Sequence, residues 1–173
     1  NPTCAGKLIN RLDHFCGKKG LDIKGLSKAT FEKLIDWSWI TNLIDIFELS
    51  SHREEWIKKD GFGIKSVDNI LNSIETAKHT TDDKFIAALG IPLVGSTLSK
   101  ELCKKEVSYF HIREDIEGRY DFMQWDGIGW EISQSLLNFD YSEADEIWFK
   151  YLKDTLTNPL WVNPEGAKTS KSL

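Results

Sequence analysis

The five residues Asp60-Gly61-Phe62-Gly63-Ile64 return, little changed, as Asp126-Gly127-Ile128-Gly129-Trp130. A chain that repeats a turn motif repeats the supersecondary unit around it. Two weaker copies, Gly25-Leu26-Ser27 and Leu93-Val94-Gly95, stand in the same frame, so the third position of the motif falls at 27, 63, 95 and 129, at intervals of 36, 32 and 34 residues. Each copy is followed by a segment with apolar residues a few positions on: Phe31, Val67, Leu98 and Ile132. Glycine-apolar-glycine between two helices makes a tight hairpin, in which the glycines accept positive φ and the middle side chain plugs the gap between the helices.

Apolar residues recur at helical spacing through most of the chain, as at Phe31, Leu34, Ile35 and at Val67, Ile70, Leu71, Ile74, and no sustained period-two alternation appears. The expected fold class is therefore all-α, with four helix-hairpin-helix repeats arranged as two pairs. With 40% hydrophobic residues, including seven Trp and nine Phe, the chain can fill a core. From about Asn158 the character changes to Pro159, Pro164, Gly166 and the run Lys168-Thr169-Ser170-Lys171-Ser172, which reads as a linker. The expected organisation is a leading segment over 1–15, the repeat domain over 16–156 and a linker over 157–173. Asn1 is not an initiator Met, so an excised fragment is expected. No stretch approaches the roughly 20 apolar residues of a membrane span. Cysteines at 4, 16 and 103 have no paired spacing, which points to a reducing cytoplasm.

The net charge of −5 argues, taken alone, against nucleic acid, whose affinity rests on Lys and Arg neutralising phosphates. Its distribution matters more. Residues 1–33 hold Lys7, Arg11, Lys18, Lys19, Lys24, Lys28 and Lys33 against only Asp13, Asp22 and Glu32, whereas residues 106–156 hold four basic against twelve acidic groups. A DNA surface would lie on the first two thirds. The second glycine of each hairpin also begins the next helix, and the free amides of a helix start, backed by the helix dipole, form an anion site. A phosphate can sit there without any base being read. The second hairpin, with Lys58, Lys59 and Lys65 beside it, is the best candidate; the fourth, ringed by acids and followed by Trp130, is the one expected to be architectural.

With the repeats placed, the sequence resembles the helix-hairpin-helix domain of bacterial NAD-dependent DNA ligases. The resemblance is carried by Asn-Pro-Thr-Cys at 1–4, Leu12-Asp13-His14-Phe15, Leu21-Asp22-Ile23-Lys24-Gly25-Leu26, the stretch from Gly63 to Leu71, and Ala88-Leu89-Gly90-Ile91-Pro92-Leu93-Val94-Gly95. It implies that residues 1–15 are the remnant of a preceding zinc module and its connecting helix, with Cys4 matching the last of four zinc ligands, the other three being absent. It further implies NAD, magnesium and structural zinc as cofactors of the parent enzyme and none in this chain, and a tail leading towards a BRCT domain. The intact enzyme would use the module to clamp nicked double-stranded DNA along the minor groove while a separate domain does the sealing. On this reading the chain alone is inactive, monomeric, bacterial, cytoplasmic and nucleoid-associated, with other domains of the same ligase as neighbours. The residues expected to bind DNA are Lys24, Gly25, Lys28, Gly61, Gly63, Lys65, Ser66, Gly95 and Lys100, with Gly127 and Gly129 as secondary candidates and no catalytic residue. Ser27 and Leu93 stand where glycine is expected. The rival readings are a helical protein-interaction scaffold, with the acidic, Trp-bearing second half as its working surface, and a module of another DNA repair protein.

Other motifs are weaker. Lys58-Lys59-Asp60-Gly61 fits the Lys-X-Asp-Gly pattern of the adenylated lysine in ligases, but Asp60-Gly61 is already explained as a hairpin entrance in helical surroundings. His14 and Cys16, two apart on a helix, do not face each other. The acidic clusters read as solvated helix surface. Core packing explains most of the Trp residues, with Trp161 as the one expected to dock elsewhere.

Overall fold

A computed structural model describes residues 2–162, with the side chains of residues 2–4 outside the description. The Cys4 side chain, expected as a zinc ligand, is thus not described, and Pro164, Gly166 and the lysine-serine tail lie outside the described residues. Among the described residues there are nine α-helices and no strand, only a single parallel bridge between Thr81 and Thr157. The helices are α1 (Pro2–Cys16), α2 (Lys28–Asp36), α3 (Arg53–Trp56), α4 (Ile64–Ala77), α5 (Asp82–Ala88), α6 (Ser96–Lys105), α7 (Tyr109–Glu117), α8 (Trp130–Asn138) and α9 (Ser142–Ile147). A 3-10 helix, Leu43–His52, runs into α3, and a π-helical turn, Trp148–Leu152, continues α9. No helix is long and apolar enough to cross a membrane among the described residues.

Periodicity explains the long elements. Helix α4 buries Val67, Ile70, Ile74 and Ala77 along one face and leaves Lys65, Ser66 and Asn69 outside. Val67, Ile70 and Ile74 each contribute on the order of 1.5–3 kcal/mol by leaving water, and the single methyl of Ala77 less. Helix α1 ends where the Leu21 and Ile23 amides turn back to the carbonyls of Phe15 and Cys16, at 2.9 and 2.8 Å. Residues 17–24 are therefore a capping loop between α1 and the first hairpin, longer than the segments 57–60 and 89–92 that lead from α3 and α5 into the second and third.

Two cross-contacts pair the turns. The Lys24 amide donates to Ser73 Oγ of α4 at 2.8 Å, and Gly25 lies against Ile70, which joins the first turn to the helix after the second. Ser135 of α8 donates to the carbonyl of Pro92, which joins the third turn to the helix after the fourth. The aromatic residues Trp37, Trp39, Trp56 and Phe62 pack edge-on and tilted around one another beneath the first pair.

The segment read as the start of a linker is bound to the helical body as far as residue 162. The Asp82 amide donates to the Thr157 carbonyl at 3.0 Å, and Asn158 Nδ2 reaches the carbonyls of Cys103, Glu106 and Val107 at 2.9, 2.9 and 3.0 Å. One amide side chain serving the frayed end of α6 leaves no periodic trace in the sequence.

Two features give direct tests. Arg53 grips Asp68 through two bonds, 2.7 and 3.0 Å long, which tie α3 to α4. The guanidinium holds the Asp68 carboxyl below its ordinary range. A depressed carboxylate stabilises the fold above its unfolded value, and that contribution is lost as pH falls through the folded value. The Asp68→Asn variant should therefore unfold at lower urea near neutrality and converge with the parent chain in acid; urea midpoints across a pH series check this. Cys16 and Cys103 are buried, and burial pushes the Cys16 thiol up to about 12 and Cys103 in the same direction. Thiolate is the reactive form. Iodoacetamide pulses read by mass spectrometry should label both sites in urea and neither in the native chain.

Candidate nucleic-acid interface

The four turns share one backbone. The first position has positive φ in every copy: +88° at Gly25, +85° at Gly61, +68° at Leu93 and +87° at Gly127. The middle side chain points inward, with Val94 and Ile128 buried and Leu26 and Phe62 half-buried. The third position, Ser27, Gly63, Gly95 or Gly129, is extended, with φ of −126°, −161°, −99° and −91°, and the next residue begins α2, α4, α6 or α8. The expectation that both glycines adopt positive φ is thus corrected for the second, because its backbone has already turned into the helix cap.

That correction separates two kinds of glycine. Gly25 is required by the fold: besides its φ, a Cβ there would stand 2.7 Å from Ile70 Cγ1. Gly61 is required by φ. At Gly63, Gly95 and Gly129 a Cβ would meet nothing within 4 Å, and φ is one that any residue adopts. Ser27 shows that a side chain fits the position and caps the helix, accepting the Thr30 amide at 3.2 Å. A bare helix start is instead what close approach of another molecule to the backbone needs.

Charge marks three of the four starts. Helices α2, α4 and α6 have no acidic residue in the first turn, whereas α3 has Glu54 and Glu55, α5 has Asp82 and Asp83, α8 has Glu131 and α9 has Glu143 and Asp145. Helix α7 borrows its carboxylate, the Tyr109 amide donating to Asp82 Oδ2 at 2.7 Å; burial nevertheless holds that carboxyl above its usual range. Lys28 is the first residue of α2 and Lys65 the second of α4. A cation at the positive end of a helix dipole is unfavourable by some tenths of a kcal/mol, and a bound anion reverses the sign.

The expected residues divide accordingly. Lys28, Lys65 and Lys100 are exposed. Lys24 is exposed but pairs with Asp22 at 3.0 Å. Ser66 turns back on its own cap, its Oγ accepting the Gly63 amide at 3.0 Å, so it holds the turn and leaves the amides of Ile64 and Lys65 as the open donors. Lys59 is drawn away: its ammonium sits 4.7 Å from the Trp37 ring centre and 3.7 Å from Glu55. Lys33 was not singled out for the second hairpin, yet its Nζ lies 5.4 Å from the Phe62 ring centre and beside Gly61. Only the pairing of repeats reveals it, since it comes from the helix after the first hairpin. Gly127 and Gly129 stand between Asp126 and Glu131, with Trp130 64% exposed beside them. Trp130 is thus the exception among the Trp residues, while Trp161 is half-buried.

A cleft of about 810 Å3 opens beside α1, α5 and α9, lined by Arg11, His14, Asn42, Asp140 and Glu143 among others. Three of its polar side chains are occupied structurally: Arg11 pairs with Glu143, which also accepts the Leu43 amide at 2.7 Å, and His14 Nε2 donates to the Ala87 carbonyl at 2.8 Å. Among the described residues no group of three or more His, Cys, Asp or Glu is placed to hold a metal ion. In the Lys-X-Asp-Gly match, Lys58 is an exposed residue of the turn after α3, and Asp60-Gly61 enters the second hairpin.

No protein-family model matches the chain. Individual relatives do. The chain is 32% identical over its full 173 residues to a protein named DNA ligase from Lachnoclostridium phytofermentans, covering 26% of that protein. It is 30% identical over 159 residues, 91% of the chain and 23% of the relative, to a DNA ligase from Petrotoga mobilis. Along its whole length the chain is thus similar to part of a DNA ligase. A further DNA ligase, from Fusobacterium nucleatum, is 40% identical over 104 residues, 60% of the chain and 15% of the relative. The chain therefore spans about a quarter or less of the length of these curated relatives.

Proposed function

We propose that this domain is the helix-hairpin-helix module with which an NAD-dependent DNA ligase grips nicked double-stranded DNA. The observation that carries the reading is the set of open helix starts at Lys28, Ile64 and Ser96, free of acids, two of them behind glycines that the fold does not require. The amides there donate to phosphate oxygens, with Lys28, Lys33, Lys65 and Lys100 supplying charge. Such contacts hold the backbone and read no sequence. The fourth hairpin, flanked by Asp126 and Glu131, contributes no phosphate contact of this kind. In the whole enzyme Cys4 would complete a zinc site with three cysteines from elsewhere, and NAD and magnesium would serve the nucleotidyltransferase domain; this chain supplies no catalytic group and should not ligate nicked DNA on its own.

Titration of the domain against nicked duplexes of two unrelated sequences tests the reading. Equal affinities are expected, with log K falling by about 0.9 per phosphate neutralised for each unit of log salt. A marked preference for one sequence, or no binding at about 50 mM salt, contradicts it. The scaffold reading has one specific observation in its favour, the exposed Phe110 and Phe149 on the acidic second half, and the absence of DNA binding would turn attention there.

A further inference from the structure

Seven large hydrophobic side chains are strongly exposed among the described residues: Ile64, Leu93, Phe110, Met123, Trp130, Phe149 and Val162. Three of them belong to the hairpins. Ile64 and Trp130, 61% and 64% exposed, occupy one frame position, the first helical residue after the turn. Leu93, 63% exposed, occupies the first position of the third turn, where the other three have glycine. Its φ of +68° is one that a leucine adopts only under strain. A leucine there both strains the backbone and leaves an apolar side chain in water, and among the described residues it belongs neither to the hydrophobic core nor to the side chains packed against it. Strain that the surrounding structure does not explain points to a function outside it.

We propose that Ile64, Leu93 and Trp130 are apolar contacts laid against the deoxyribose edges of the groove of the bound duplex. The inference rests on the DNA-gripping reading and adds to it a component that salt does not screen. Its occupant follows from position. Ile64 carries one of the open amides itself, and Leu93 lies three residues before Ser96, the bare start of α6, so a phosphate at either amide brings the adjoining sugar against the side chain. Apolar side chains are a recurrent part of groove binding, where they also serve as wedges between base steps. Trp130 gives the fourth hairpin a means of touching DNA that its flanking acids, Asp126 and Glu131, oppose less than they would a direct phosphate contact, since the sugar face itself is uncharged. The hairpins thus share the work: charge and amides in the first three, apolar contact in the last three.

The test compares the affinity of the domain for a nicked duplex across a salt series for the parent chain, Ile64→Ser, Leu93→Asn, Trp130→Ser, and the controls Phe110→Ser and Phe149→Ser. Asparagine tolerates positive φ, so Leu93→Asn keeps the turn, and melting curves verify that every variant is folded. Each hairpin variant is expected to lower affinity by about tenfold at every salt concentration, the equivalent of one side chain no longer buried, with the salt slope unchanged. The phenylalanine controls should bind as the parent does. Parent-like binding by the three hairpin variants, or a loss no greater than in the controls, overturns the inference and leaves the phosphate reading standing. A parent chain that fails to bind even at low salt overturns both.

Discussion

Valine at position 25 should unravel the first pair of hairpins, whereas valine at position 63 should leave the fold standing and weaken its hold on DNA. At Gly25 the φ of +88° costs a side-chain-bearing residue about 1–2 kcal/mol. Crowding of Ile70, whose Cγ1 would lie 2.7 Å from the new Cβ, adds overpacking of about 1–3 kcal/mol. For a chain of this size each kcal/mol lowers the melting temperature by about 2–4 °C. Gly63 has no neighbour within 4 Å of a Cβ and an extended φ of −161°, so valine there costs no more than about 1 kcal/mol, the difference between glycine and an aliphatic residue as a helix cap. It does stand in the path of a phosphate approaching the Ile64 and Lys65 amides. Losing one charge-assisted bond corresponds to about tenfold in affinity. Melting curves and duplex titrations of the two variants check the pair; proportional losses of stability and affinity in both would contradict the division of the glycines.

Reversing the charge of Lys28 and Lys65 together should move stability and binding in opposite directions. Glutamate in the first turn complements the helix dipole, so Lys28→Glu with Lys65→Glu is expected to raise the unfolding free energy by about 0.3–1 kcal/mol at each site. The same change removes two phosphate partners and presents repulsion in their place, which corresponds to at least about a hundredfold loss of affinity. It should also flatten the salt slope by about 0.9 per lysine. Urea unfolding and a salt series measure the two halves. A variant that is less stable would show that these lysines serve the fold, and undiminished affinity would place the DNA contact elsewhere.

The repeat was legible because it rests on residue types that a turn demands. The frame at 27, 63, 95 and 129 falls on the residues that cap α2, α4, α6 and α8, one position before each helix begins. What the sequence concealed depends on contacts between repeats. Gly25 and Gly63 look alike in the frame, and only Ile70, arriving from α4, makes the first structural and leaves the second open. Lys59 and Lys65 look equally available, but Trp37 draws the first away. Lys33 joins the second hairpin only because the first pair of repeats is packed together. Leu93 takes a conformation usually left to glycine, which no propensity argument would assign to it. The binding of residues 157–162 rests largely on the single Asn158 amide and a few backbone bonds, which no periodic pattern records.

The most direct test of the central claim is an amide-resolved NMR titration of the 15N-labelled domain with a nicked duplex at about 50 mM salt, where phosphate contacts are strong. The account predicts that the largest shifts fall on the first amides of α2, α4 and α6, at Lys28 and Ala29, Ile64 and Lys65, and Ser96 and Thr97, and that they fade together as salt is raised. Shifts that leave these six amides unmoved and gather instead around Phe110 and Phe149 would contradict it.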